Sequence, residues 1–333
     1  MSVVARLERR QVSFYLAAIL LGVAAGLLAP AAAPVWGGAI TPILAVLIWA
    51  TFLGVPLIDL PRAFRDIRFL GTVLAVNFVA VPVLVFGLTR VVAGNQAVLI
   101  GVLLVLLTPC VDYVIVFTGL AGGARDRLLA AAPLLMVLQM LLLPGYLWLF
   151  LGPEGAALIA LGPFVEAFLL LIALPLGAAA VVQAFSRGTR PRARAAGRRI
   201  EATLAALMVP LLMLTLFVVI AAQIHAVSAE LGVLLGVIPV YVAFLVVMLG
   251  VGLLASRLAR LDVPATRALV FSGATRNSLV VLPLALALPP ALALAPLVVV
   301  TQTLVELVGM VVFVRLVPGL TRARPGARAG ETP

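Results

Sequence analysis

Pro109, Cys110 and Asp112 stand within four residues of one another in the otherwise apolar stretch LLTPCVDYVIVFTGL, residues 106–120. Proline withholds a backbone donor and clashes with the preceding turn, so a helix built from this run must bend or break near Pro109. An aspartate at mid-membrane depth costs roughly 2.5–3.5 kcal/mol on insertion scales and persists where it has a partner or a task. Cys110 reads in two ways, as a small apolar filler or as a functional thiol. A second stretch of this kind is FSGATRNSLVVLPLALALPP, residues 271–290, with Gly273, Arg276, Asn277 and then Pro283. It too is polar and breakable. If the two broken helices cross, Asp112 and Arg276 come within pairing distance, each removes much of the other's insertion cost, and the freed backbone groups line a wet cavity. Such a pair is either a structural clamp or a proton carrier and substrate receptor. Glu306 lies one turn past Gln302 on the same helix face and is a candidate coupling carboxylate. Gln139, Gln302 and Asn77 read as interhelical hydrogen-bond partners. Glu166 falls near the outer end of its span, and His225, the sole histidine, in an outer loop.

Positioning these residues falls to long apolar elements. Of the 333 residues 65% are hydrophobic and 11% charged, more apolar surface than one soluble core can hide. Ten runs are long enough to span a bilayer: 12–29, 39–58, 69–89, 96–121, 129–151, 162–185, 202–223, 231–255, 267–288 and 291–315. Continuous apolarity over such lengths predicts helices, since membrane strands alternate over about ten residues. The first run reads as a span and not a cleaved leader. One cysteine excludes an intrachain disulfide, a multi-cysteine zinc site and an iron–sulfur cluster, and no cofactor is expected.

All basic residues are arginine, and every one except Arg90 and Arg276 falls in alternate loops or at the ends. By the positive-inside rule this places both termini in the cytoplasm of a multi-pass cell (inner) membrane protein. The positive charge is thus a topology signal and not a nucleic-acid surface; SRGTRPRARAAGRRIE, residues 186–201, can also meet anionic lipid. Ala132-Pro-Leu-Leu-Met-Val-Leu-Gln139 and Ala295-Pro-Leu-Val-Val-Val-Thr-Gln302 match in step at a separation of 163. Five spans per half would insert the second half upside down, and inverted repeats with interrupted helices in equivalent places point to a secondary transporter. The expected fold is therefore an all-α membrane protein of ten transmembrane helices in two inverted five-helix repeats, with broken helices four and nine crossing. Its divisions are a first repeat at 1–158, the first helix of the second repeat at 159–185, a basic cytoplasmic linker at 186–201, the rest of that repeat at 202–318 and a tail at 319–333.

This layout resembles the bile acid/sodium symporter superfamily, including its arsenical-resistance branch. Thr108-Pro109-Cys110 is similar to the arsenite exporters' Pro-Cys motif, whose cysteine binds the metalloid. Gly273-Ala-Thr-Arg-Asn277-Ser278 is similar to the superfamily's Gly-x-x-Gln-Asn-Ser-like stretch. Where sodium-coupled members carry a glutamate and a glutamine, this chain has Ser272 and Arg276; where arsenite exporters carry a glutamate, it has Leu279. An arginine is incompatible with a neighbouring cation site. The resemblance implies proton-coupled efflux of arsenite or antimonite, with Cys110 as metalloid ligand, Asp112, Arg276 and Asn277 at the substrate and Asp112 and Glu306 in coupling. The alternative is sodium-independent movement of a small organic anion that meets Arg276. No zinc motif, carboxylate pair in a polar loop or phosphate-binding loop supports a membrane enzyme.

Overall fold

A computed structural model describes residues 11–54, 65–111, 113–157, 162, 165–166 and 169–321. The described chain is built of helices: α1 (Gln11–Leu28), α2 (Ala33–Gly54), α3 (Ile67–Thr89), α4 (Gln96–Leu106), α5 (Tyr113–Leu120), α6 (Arg125–Ala157), α7 (Leu174–Arg187), α8 (Pro191–Ala229), α9 (Leu231–Leu258), α10 (Val263–Ala274), α11 (Ser278–Leu286) and α12 (Leu294–Leu320). Six helical segments among the described residues are long and apolar enough to cross a membrane, within α2, α3, α6, α8, α9 and α12. The chain is a multi-pass membrane protein. The run 96–121 is not one helix: α4 stops at Leu106 and α5 starts at Tyr113. The run 267–288 likewise divides between Ala274 and Ser278. Pro283 does not supply that second break, contrary to its expected role, because α11 continues through it to Leu286. The basic stretch is helical from Pro191, so Arg192 to Arg199 ride on the first turns of α8.

Two sets of helices pack mainly among themselves. In one, α8 lies along α1 and α2, with α7 against both α8 and α2. Gln183 of α7 donates to the Phe52 carbonyl at 3.2 Å, and Ser186 donates to Glu201 of α8 at 2.7 Å. In the other, α12 packs on α4, α9 and α11, and α10 lies along α9. Tight approaches here need glycine: a Cβ at Gly101 of α4 would stand 2.8 Å from the Ala295 carbonyl oxygen of α12, and one at Gly252 of α9 would stand 2.9 Å from Val270 Cα of α10. Small residues at such contacts let backbones approach where lipid gives no hydrophobic drive. Tyr241 of α9 adds a hydroxyl bond to the Val298 carbonyl of α12 at 3.0 Å.

Inside α3 the residues Val76–Ala80 form a π-helical turn. Such a turn departs from the regular i→i−4 pairing and recurs at functional positions. The Phe78 carbonyl accepts from the Tyr146 hydroxyl of α6 at 2.7 Å, and Asn77 is turned into the protein with no exposed surface. At one end of this helix set Arg127 bridges Asp66 (3.1 Å) and Asp262 (2.7 Å). Both aspartates also cap helices, through the Phe69 and Ala265 amides. The starts of α3, α6 and α10 are thereby gathered at one end.

Candidate functional site

Two interrupted helices meet backbone to backbone. Pro109 and Arg276 form an antiparallel bridge, in which the Cys110 amide donates to the Thr275 carbonyl at 3.2 Å and the Asn277 amide to the Thr108 carbonyl at 2.7 Å. Extended backbone inside an apolar layer must find such partners, because no water supplies them. Pro109 suits this place because the residue facing Arg276 need give up no donor of its own. Gly273, one residue before the end of α10, serves close packing: a Cβ there would lie 3.0 Å from Met248 Cε and from Val76 Cγ1.

Arg276 is wholly buried. One terminal nitrogen donates to Asn77 Oδ1 at 2.8 Å and to the Ser272 and Gly273 carbonyls at 2.9 and 2.6 Å. The other donates to the Leu106 carbonyl at 3.3 Å, and Cζ lies 5.3 Å from the Phe244 ring centroid, a cation–π distance. Asn77 is held in turn by its own bonds to the Val73 carbonyl and to Ser272 Oγ, both 3.0 Å. Asp112, the expected partner of Arg276, lies outside the described residues.

On the other face of the bridge stands Glu306, 1% exposed. It accepts from the Tyr113 hydroxyl at 2.5 Å, from the Arg276 backbone amide at 2.7 Å and from Gln302 Nε2. The hydrogen bond between Arg276 and Glu306 thus runs through the main chain, while the guanidinium's hydrogen bonds go to Asn77 and to the Leu106, Ser272 and Gly273 carbonyls. Buried polar atoms of these residues without a hydrogen-bond partner among the described residues include Asn277 Nδ2 and Gln302 Oε1, and also Arg276 Nε. Buried polar atoms are satisfied in the great majority of cases, so an unsatisfied donor and acceptor together suit a polar guest. Cys110, whose amide takes part in the bridge, is fully buried. Among the described residues no three His, Cys, Asp or Glu side chains gather as a metal site. Glu166 is exposed, while Gln139 is buried and its side-chain nitrogen and oxygen both lack a partner among the described residues.

The helix ends give the crossing a polarity. The carbonyls at the C-terminal ends of α4 and α10 converge on the Arg276 side chain, where the helix dipoles are negative. The N-terminal ends of α5 and α11, the positive ends, start at Tyr113 and Ser278 beside Glu306 and Asn277. Tyr113 is not legible as a site residue in the sequence, and Asn77 reads there only as a generic hydrogen-bond partner. The signal for Asn77 was a lone amide in a run of apolar residues; a tyrosine in an apolar stretch carries no comparable signal.

A family model described as Sodium Bile acid symporter family matches residues 41–230, more than half of the chain. Comparison with curated proteins gives no match.

Proposed function

The chain belongs to the sodium bile acid symporter family, a family of transporters, and we propose that it is a sodium-independent secondary transporter of a small organic anion. The observation that carries this reading is the wholly buried Arg276 guanidinium at the crossing, among four oxygens of which, among the described residues, none belongs to a carboxylate. A second cation beside it meets a fixed positive charge in a medium of low dielectric constant. An anion fits the opposite pole, where the N-terminal ends of α5 and α11 and the unpaired Asn277 amide offer donors.

Glu306 supplies the coupling. An anionic guest beside this carboxylate is repelled unless the carboxyl carries a proton, so guest and proton travel together. The Tyr113 hydroxyl, now a donor to Glu306, can turn to accept that proton's hydrogen bond. The ten-helix inverted repeat belongs to the same proposal. Its support is the order of elements, with a broken helix fourth and ninth, and the pair Tyr113 and Arg276. These two are separated by the repeat offset of 163, and the Tyr113 hydroxyl lies 3.3 Å from the Arg276 carbonyl. Equivalent residues of two halves related by a two-fold axis meet where the axis passes. The arginine-bearing loops and both termini are assigned to the cytoplasm on the positive-inside rule.

Metalloid efflux is the second reading, and it is favoured by the burial of Cys110 at the crossing bridge. A single thiol gives one soft ligand and no three-sulfur site. One experiment separates the readings: uptake or efflux of radiolabelled small carboxylates, and of arsenite, in vesicles carrying wild type or Cys110→Ser. Anion transport that tolerates the serine, with no arsenite movement in either protein, is expected. Arsenite efflux that collapses in Cys110→Ser would replace the anion reading by the metalloid one.

A further inference from the structure

We infer that the Arg276 guanidinium is a tethered cation, filling an oxygen cage that accepts a free monovalent cation once the side chain is removed. Among the described residues, four oxygens from three helices converge on its terminal nitrogens: Asn77 Oδ1 from the π-helical turn of α3, the Leu106 carbonyl from the end of α4, and the Ser272 and Gly273 carbonyls from the last turn of α10. The three carbonyls belong to the last four residues of their helices, the groups that have no acceptor role within the helix and that form the negative end of its dipole. They therefore need a donor or a cation from elsewhere. Asn77 is fixed with its oxygen inward, because its Nδ2 is committed to the Val73 carbonyl and Ser272 Oγ. Phe244 closes one side with its ring face, 5.3 Å from Cζ. A carbonyl-lined cage of this kind, facing an aromatic ring and closed to solvent, has the chemistry of a monovalent cation site, and here the chain's own side chain occupies it.

The inference rests on the sodium-independent reading and deepens it without depending on which guest is carried. With the guanidinium gone, four buried oxygens face one another without a donor, an arrangement that a protein rarely leaves unsatisfied. Free guanidinium restores the same hydrogen bonds, and sodium or potassium supplies charge without their geometry. Lysine in place of arginine keeps the tether and the charge with three donors, whereas methionine keeps the bulk and no charge.

The test is thermal unfolding of the purified full-length protein in detergent, in choline chloride, with guanidinium, sodium or potassium chloride added at low millimolar concentration. Wild type is expected to unfold at one temperature in all four salts. Arg276→Ala is expected to unfold at a lower temperature in choline and to recover by about 3 °C or more on adding guanidinium or an alkali cation, as ligand linkage requires. An Arg276→Ala protein that ignores every cation, or a wild type that shifts as much, overturns the inference. Should Arg276→Ala give no folded protein, Arg276→Lys and Arg276→Met decide. A folded lysine variant beside an unfolded methionine variant supports a tethered charge, and equal melting of the two overturns it. None of these readings requires a transported substrate, so a failed uptake assay and a failed cage remain distinguishable.

Discussion

Among the described residues Glu306 holds three donors, and the two side-chain ones can be removed singly. Tyr113→Phe deletes one of them while leaving the ring in its edge-to-face contact with Phe117. A buried acceptor that loses a donor costs about 1–3 kcal/mol, so a lower unfolding temperature in detergent is expected, with the fold retained. Glu306→Gln keeps the size and can still accept from the Arg276 amide, but it cannot carry a proton. It is expected to fold and to lose concentrative uptake driven by a pH gradient, while equilibrium exchange of the anion across the membrane survives. Gradient-driven uptake at the wild-type rate in Glu306→Gln would remove this carboxyl from coupling. Of the side chains singled out in the sequence, Arg276, Asn277, Cys110 and Glu306 do gather at one place, because buried polar side chains in an apolar layer need one another and the sequence shows them as interruptions. What stayed hidden was direction. Nothing in the residue types says that the guanidinium of Arg276 turns to carbonyls while its backbone amide meets Glu306, since that depends on which helix ends face which side.

At the scale of elements, the crossing is held by how closely α4 and α12 approach. A Cβ at Gly101 would press on the Ala295 carbonyl and on Val298 Cβ, both at 2.8 Å. Gly101→Val therefore pushes α12, and Glu306 with it, away from the bridge. Overpacking of this sort costs about 1–3 kcal/mol; reduced thermal stability and reduced uptake are expected together, whereas Gly87→Val, where nothing lies within 4 Å, is expected to change neither. The apolar runs foretold most elements because a bilayer demands some twenty apolar residues of a spanning helix. The break between Leu106 and Tyr113 is legible from Pro109 and not from the apolar run, and neither foretells the π-helical turn at Val76–Ala80 or the continuation of α11 through Pro283. Hydropathy does not register hydrogen-bond pattern, and a proline inside a short helix can be carried when its neighbours re-satisfy the freed carbonyl. The basic stretch before residue 201 reads as a linker by charge, yet it is helical from Pro191, since arginine and alanine are both good helix formers.

The whole molecule presents two sets of helices, with the crossing built wholly within the set of α3 to α6 and α9 to α12. Arg127 gathers the starts of α3, α6 and α10 at one end through Asp66 and Asp262, loops that the arginine distribution assigns to the same side. Sidedness is open to direct labelling: in a Cys110→Ser background, a membrane-impermeant maleimide added outside is expected to label Gly94→Cys in intact cells and to reach Asp126→Cys only after permeabilisation. The reverse pattern would invert the topology. The sodium dependence of transport bears most directly on the role given to Arg276. Uptake of the carried anion into proteoliposomes is measured under a fixed pH gradient, with external sodium replaced mole for mole by choline. The rate is expected to stay within about twofold, a difference well below 1 kcal/mol; a loss of roughly tenfold or more in choline would mean that a free sodium ion drives transport and that the buried guanidinium does not stand in its place.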